Sequence, residues 1–321
     1  MRIIIVTPAP PGSRRGNRIT AVRWSRLLRQ LGHRVAILND YDGQHCDILI
    51  ALHARRSFAA VKRFHDTYPN KPLIVALTGT DLYDDIHRDA KAQQSLAWAT
   101  RLIVLQQSGV KELPKSYREK TRVIYQSTQA PRVVAPATNH DVFQVCVLGH
   151  LRPVKDPFRT TLAARLLPPS SRVRVVHVGG SLSPAMAQRA STEAATTPRY
   201  RWLGNLPRWK ALRVLARSHL LVLTSVMEGG ANVISEAIAV DVPVISSRIA
   251  GSIGILGAGY PGYFPVGDTE ALAAMLHQAE TDDAFYRRLR QWCRRLRPLV
   301  QPSRERESWR RLIRESQKAS R

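Results

Sequence analysis

The sequence predicts an α/β protein of two doubly wound, parallel-sheet (Rossmann-like) domains facing a central cleft. Three observations predict it. Short runs of Ile, Val and Leu alternate with amphipathic stretches along nearly the whole chain. Short β-branched runs spaced by helical stretches are the pattern of parallel strands covered by helices. The stretch Ser127–His140 lacks that periodicity, is rich in Ser, Thr, Gln, Pro, Ala and Asn, and reads as a linker. A chain of 321 residues, 44% of them hydrophobic, has material for two cores. The expected division is residues 1–135, residues 136–300, and a basic C-terminal helix at 301–321 packing back on the first domain.

The elements follow in order. Ile3–Thr7 is a first buried strand: one basic residue, a short apolar stretch and then prolines do not make a signal peptide. Strands are expected next at Arg34–Leu38, Asp47–Leu52, Leu73–Leu77, Arg101–Leu105 and Arg122–Ile124, with helices at Thr20–Leu31, Phe58–Thr67 and Ala90–Ala99. In the second half the strands are Val142–Leu148, Arg172–Val178, Arg201–Leu203, Leu220–Thr224 and Pro243–Ser246. Its helices are Pro157–Leu167, Pro184–Thr197, Arg208–Ala216, Ala231–Ala239, Glu270–His277 and Asp283–Leu296.

Composition narrows the class. No apolar run approaches the ~20 residues that cross a bilayer. Cys46, Cys146 and Cys293 are odd in number and far apart, which indicates neither a disulfide framework nor a zinc site. A reducing, cytoplasmic setting is the simplest reading. The net charge is +25, from 49 basic and 24 acidic residues. Nucleic acid is the obvious partner for such a balance. No helix-turn-helix, zinc-finger or RNA-binding signature accompanies the charge, so a basic nucleic-acid-binding protein stands as an alternative and no nucleic acid is expected. Asp40-Tyr41-Asp42 has the Asp-x-Asp form of a metal site, but beside Gly43 it reads as a turn.

In doubly wound sheets ligands meet the carboxyl ends of strands. The loop after the first strand carries Gly12 and Gly16, which allow close backbone approach, and Arg14, Arg15, Asn17 and Arg18, suited to phosphate-like oxyanions. His53, Arg55 and Arg56 follow the third strand; Thr78, Thr80 and Asp81 follow the fourth. His53 and Asp81 are expected to border an acceptor, with Asp81 as a base or as the cap of the following turn. After the strand Leu220–Thr224 come Glu228, Gly229, Gly230, Ala231 and Asn232, and then Glu236 just inside a helix. A glycine-rich turn opening a helix presents N–H groups to a phosphate. A carboxylate one turn further accepts from sugar or ribose hydroxyls.

Glu228 and Glu236, eight positions apart, resemble the Glu-x7-Glu signature of family 4 glycosyltransferases of the GT-B fold. Gly149, Arg152 and Lys155 resemble that family's Gly-x-x-Arg-x-x-Lys segment. The resemblance covers nearly the whole chain. It implies that Glu228 contacts the transferred sugar and Glu236 the ribose. It implies that Arg152 and Lys155 hold the diphosphate, Gly179 lies beside the nucleotide, and Leu203 lies where the nucleobase stacks. It also implies catalysis with basic side chains and helix dipoles in place of a metal, with no cofactor. The first half is more particular. Thr7–Arg18, Ala51–Ser57, Ala76–Tyr83 and Gln126-Ser127 resemble the selenosugar synthases of selenoneine biosynthesis. That resemblance implies a UDP-sugar, typically UDP-N-acetylglucosamine, joined at its anomeric carbon to selenophosphate, with release of UDP. Arg14, Arg15, Asn17, Arg18, His53, Arg55, Arg56, Thr78 and Thr80 are then the acceptor-side residues. Glu228, Arg152, Lys155, His53 and Asp81 are the catalytic candidates. The alternative enzyme is a conventional GT-B glycosyltransferase acting on a lipid-linked or polysaccharide acceptor. Its basic tail Arg287–Arg321, with Trp292 and Trp309, would dock an anionic membrane; packing of that tail on the protein is the preferred reading.

Overall fold

The computed structural model describes residues 1–129 and 141–318. Most of the expected linker and the expected boundary at 135 and 136 lie outside the described residues. The chain divides into two compact units. One comprises Met1–Ser127, Glu228–Asn232 and Gln301–Arg321; the other comprises Thr128–Met227 and Val233–Val300.

The first unit is a six-stranded sheet of β1 (Arg2–Val6), β2 (Arg34–Leu38), β3 (Ile48–Leu52), β4 (Leu73–Leu77), β5 (Arg101–Val104) and β6 (Thr121–Val123). Its order is β2-β1-β3-β4-β5-β6, and every pairing is parallel. β3 and β4 are buried at all five positions. Strand alternation therefore feeds two cores. Ile4, Val6, Leu49, Ala51, Val75 and Leu77 pack with Val61 and Phe64 of helix Phe58–Thr67 and Leu96 of helix Ala90–Trp98. Ile3, Ile5, Ile48, Ile50, Ile74 and Ala76 pack with Trp24, Leu27 and Leu28 of helix Gly16–Gln30 and with Trp309, Leu312 and Ile313 of helix Pro302–Lys318. Trp24 and Trp309, both fully buried, meet edge to face at 4.9 Å, a contact that contributes ~1 kcal/mol beyond its area.

The second unit is also a six-stranded parallel sheet: β7 (Phe143–Leu148), β8 (Val173–Val178), β9 (Tyr200–Trp202), β10 (Leu220–Leu223), β11 (Val244–Ser247) and β12 (Tyr263–Phe264). The order is β12-β11-β10-β7-β8-β9. The chain runs outward from β7 to β9 and then returns to the other side of β7. The strand order thus reverses between β7 and β10, as it does between β1 and β3 in the first sheet. These switch points locate the crevices where ligands of such sheets bind.

The structure departs from the sequence reading at the start of the first helix and in several short elements, among them helices Gly109–Glu112 and Lys115–Arg118. The first helix begins at Gly16, a turn before Thr20. Arg15 occupies its N-cap without a side-chain cap, and no acidic residue stands in the first turn, so the usual start signal is missing. Gly16, Asn17 and Arg18 accordingly lie in the first helical turn and not in the loop. Residues Asp81–Asp85 form a π-helical turn, and helix Ala250–Leu256 and the two-residue β12 were not foreseen.

Candidate active site

The second unit's crevice is built at the ends of β7, β8 and β10. A Cβ placed on Gly179 would stand 1.8 Å from the carbonyl oxygen of Gly149, so no side chain fits where these strand ends meet. His177 braces the same carbonyl. Its Nε2 lies 3.0 Å from Gly149 O and its Nδ1 3.1 Å from the Tyr200 hydroxyl. Burial pushes its pKa down to about 4. The ring is neutral, with Nε2–H donating to the carbonyl and Nδ1 accepting from Tyr200. The following loop is tied down on both sides. Leu151 N donates to Gly180 O, and Gly180 N donates to His150 Nδ1 at 3.1 Å. The Thr224 hydroxyl, at the end of β10, lies 2.9 and 2.8 Å from the carbonyl oxygens of Lys155 and Asp156. Val226 N donates to Val154 O. Asp156 takes a left-handed φ of 41° to turn the chain away, and its carboxylate pairs with Arg159 at 2.7 Å. Arg152 and Lys155 thus sit on a loop whose backbone is fixed.

Leu203 N donates to His177 O, and Gly179 N donates to Gly204 O, which fixes the half-buried Leu203 segment beside Gly179. Glu236 is buried, and its carboxylate is ion-paired with Arg208, at the start of helix Arg208–Ala216. Arg208 also reaches the Thr128 hydroxyl at 3.4 Å. Arg208 escaped the sequence reading; a pair 28 residues apart in sequence leaves no local pattern.

Residues Glu228–Asn232 belong to the first unit. The double glycine there has a packing cause. A Cβ on Gly229 would lie 2.5 Å from the backbone carbon and oxygen of Thr78, and one on Gly230 would lie 2.5 Å from Leu105 Cβ. The missing side chains of these glycines admit the Thr78-Gly79 turn and Leu105. Ala231 is buried, and Asn232 Oδ1 accepts from Arg23 Nη1 at 3.0 Å. Glu228 is half-buried. Its charge adds to burial and to Glu112 in holding the Tyr83 phenol well above its usual range.

At the first unit's switch point, His53 ends β3 with φ 76° while 3% exposed. A positive φ at a buried non-glycine residue is strained and is common at functional sites. Its Nδ1 accepts from Arg56 N at 3.4 Å, and its Nε2 lies 3.2 Å from Thr80 Oγ1. Burial lowers its pKa against the opposing pull of Asp81, so the ring is neutral. Its approaches to Asp81 at 4.0 Å and Asp85 at 3.8 Å are therefore not ion pairs. Asp81 is fully buried. One oxygen accepts from Thr78 N at 2.9 Å and Gly79 N at 2.8 Å; the other accepts from Ala54 N at 3.1 Å. The Asp81 carboxylate thus organises the Thr78-Gly79 turn that precedes it and does not cap the turn that follows, whose N-cap is Thr80. Arg55, half in solvent, pairs with Asp85 at 3.2 Å, whereas Arg56 is exposed. Asp85 Oδ2 is buried with no hydrogen bond. Gly12, with φ 74°, shapes the loop before Arg14 and Arg15. The Asp40 carboxylate accepts from Tyr41 N at 2.8 Å in a bend that buries Tyr41. Among the described residues no group of three or more His, Cys, Asp or Glu stands together to hold a metal, and no helix is long and apolar enough to cross a membrane.

The family model described as glycosyl transferases group 1 matches residues 133–295, half of the chain. The protein belongs to that family. Its fold is that of GT-B glycosyltransferases. It is similar to Anabaena HepE solved in complex with UDP and glucose, with TM-score 0.74, 15% identity, and coverage of 98% of this chain and 100% of that one. It is similar to sucrose-phosphate synthase from Thermosynechococcus elongatus, with TM-score 0.78, 16% identity, and 98% of each chain covered. A glycosyltransferase from Rickettsia africae matches with TM-score 0.73 and 15% identity over 99% of this chain and 98% of that one. In this glycosyltransferase the second unit brings Arg152, Lys155, Gly179 and Leu203 to adjoining strand ends. The first brings His53, Thr80, Asp81 and Arg55 together.

Proposed function

We propose that this glycosyltransferase takes a UDP-sugar, UDP-N-acetylglucosamine in the first instance, and transfers its glycosyl group to selenophosphate. The observation that carries the donor half is the fixed Gly149–Asp156 loop at the β7/β10 switch point, with Arg152 and Lys155 upon it. Structural neighbours crystallised with UDP-sugars or UDP support the choice of donor. The selenium lone pair forms the C1–Se bond as the C1–O bond to the diphosphate breaks, and UDP leaves with that electron pair. Arg152 and Lys155 offset the charge that builds on the leaving group, so no metal or cofactor is required. Glu228 contacts the sugar. Glu236 accepts from the ribose hydroxyls once they take the place of Arg208.

The acceptor half rests on the kind of groups at the first unit's strand ends. Arg14, Arg15, Arg18, Arg55 and Arg56 are numerous cations for a small, multiply charged anion, whereas His53 is neutral and Asp81 is committed to backbone donors. A selenium nucleophile does not need a strong base. Loss of the phosphoryl group to water then gives the selenol and inorganic phosphate, a step we assign to assistance by His53 or Asp81. The competing membrane reading loses its anchors. Trp309 is fully buried, and Trp292 donates to Leu256 O at 2.7 Å and packs on Tyr260. The decisive test is an anaerobic assay with UDP-N-acetylglucosamine and selenophosphate. UDP release dependent on selenophosphate, with a selenium-bearing sugar in the mass spectrum, is the expected result. UDP-sugar binding without that product would return the acceptor to the lipid-linked or polysaccharide class.

A further inference from the structure

The carboxylate of Glu305, on helix Pro302–Lys318, is 1% exposed and gathers donors from two distant parts of the chain. Arg23 Nε lies 3.1 Å from both of its oxygens, Trp24 Nε1 donates at 2.8 Å, and Ser127 N donates at 2.8 Å. The Ser127 hydroxyl donates as well. Ser127 is the last residue of the first unit before the chain passes to the second, and Asn232 is the last before it passes again. Arg23 connects them, because its Nη1 donates to Asn232 Oδ1 at 3.0 Å. Glu305 therefore anchors one crossing directly and, through Arg23, the end of the loop that carries Glu228.

We propose that Arg23 is a positioning residue for the Glu228–Asn232 loop, held in place by Glu305. The Gly229 and Gly230 contacts seat the loop by shape; Arg23 is the polar tie at its C-terminal end. A partly buried guanidinium fixed by a carboxylate on one side and an amide on the other is held in one orientation, and with it the loop end that it grips. The functional part of this inference rests on the donor reading above, since it assigns the loop to the sugar-nucleotide site. The positional part does not.

The test compares two variants of the full chain, each of which removes one donor to Glu305. Arg23→Met releases the loop; Trp24→Phe does not touch it. Amide hydrogen exchange across residues 228–234 and titration with UDP are measured for both and for the wild type. Arg23→Met is expected to speed exchange there by about 10-fold or more and to weaken UDP binding by about 10-fold, the effect of one lost hydrogen bond to a charged group. Trp24→Phe is expected to lower the melting temperature and change neither. Unchanged loop exchange in Arg23→Met, or equal loop exchange in the two variants, overturns the positioning role. A wild type that fails to bind UDP overturns the donor reading instead, and the exchange data still decide whether Arg23 holds the loop.

Discussion

The two switch points are held together by different chemistry. In the second unit the β7/β10 crevice is fixed mainly by backbone bonds, one threonine hydroxyl and a glycine contact closed to any Cβ. Its cations stand on top of that frame. In the first unit the β1/β3 side is organised by buried carboxylates: Asp81 gathers three backbone N–H groups, and Asp85 faces His53 and Arg55. A frame of backbone and close packing tolerates no added atom but is indifferent to the charge of its ligand. A frame of buried carboxylates depends on the N–H groups of Thr78, Gly79 and Ala54 that satisfy it.

The largest expected effect lies in the packed frame. Gly179→Ala forces a methyl group against the Gly149 carbonyl and should cost more than about 3 kcal/mol in urea unfolding, or prevent folding. Full stability in that variant would show the frame to be pliable. Next comes Lys155→Ala, which should lower kcat by about 100-fold or more with little change in donor KM. Glu236→Ala should chiefly raise donor KM, by about 10-fold. The reverse pattern would exchange their roles.

Stability against pH reports on a buried histidine in each unit. The folded pKa of His177 is held at about 4 by burial, below its unfolded value near 6.5. The folded state therefore binds fewer protons than the unfolded one in that window. Stability is intact above pH 6.5 and falls as pH drops toward 4, by about 3 kcal/mol for this group. His177→Gln should remove that part of the slope in denaturation curves taken from pH 7 to pH 4. His53, whose pKa is also lowered, adds loss of the same sign in the first unit. The smallest effect concerns Arg55, whose pair with Asp85 is half in solvent. Arg55→Ala should shift stability by under about 1 kcal/mol while raising the KM for selenophosphate, and an unchanged KM would remove Arg55 from the acceptor site.

Much of this was legible in the chain, for reasons tied to particular residues. β3 and β4 are runs of Ile, Leu, Val and Ala with no polar interruption, and helices Phe58–Thr67 and Arg208–Ala216 carry regular apolar faces; their bounds were read closely. The start of the first helix was missed because Gly16, Asn17 and Arg18 look like loop residues, and no acidic residue marks the turn. The π-turn at Asp81 depends on bonds from Ala54, distant in sequence. Local spacing likewise gave no sign of the packing of Gly229 and Gly230 on Thr78 and Leu105, which are more than a hundred positions away. Arg208 with Glu236 and Arg23 with Glu305 are long-range pairs of ordinary surface residue types, and nothing in their neighbourhoods announces them.

The division of the chain at Ser127, Met227, Asn232 and Val300 has an evolutionary corollary. A recombination that exchanged only residues 1–127 for those of another glycosyltransferase would inherit a foreign Thr78-Gly79 turn and Leu105 position opposite this chain's Gly229-Gly230. It would also leave Glu305 searching for Arg23, Trp24 and Ser127. The heritable module is discontinuous: residues 1–127 have to travel with Glu228–Asn232 and with helix Pro302–Lys318.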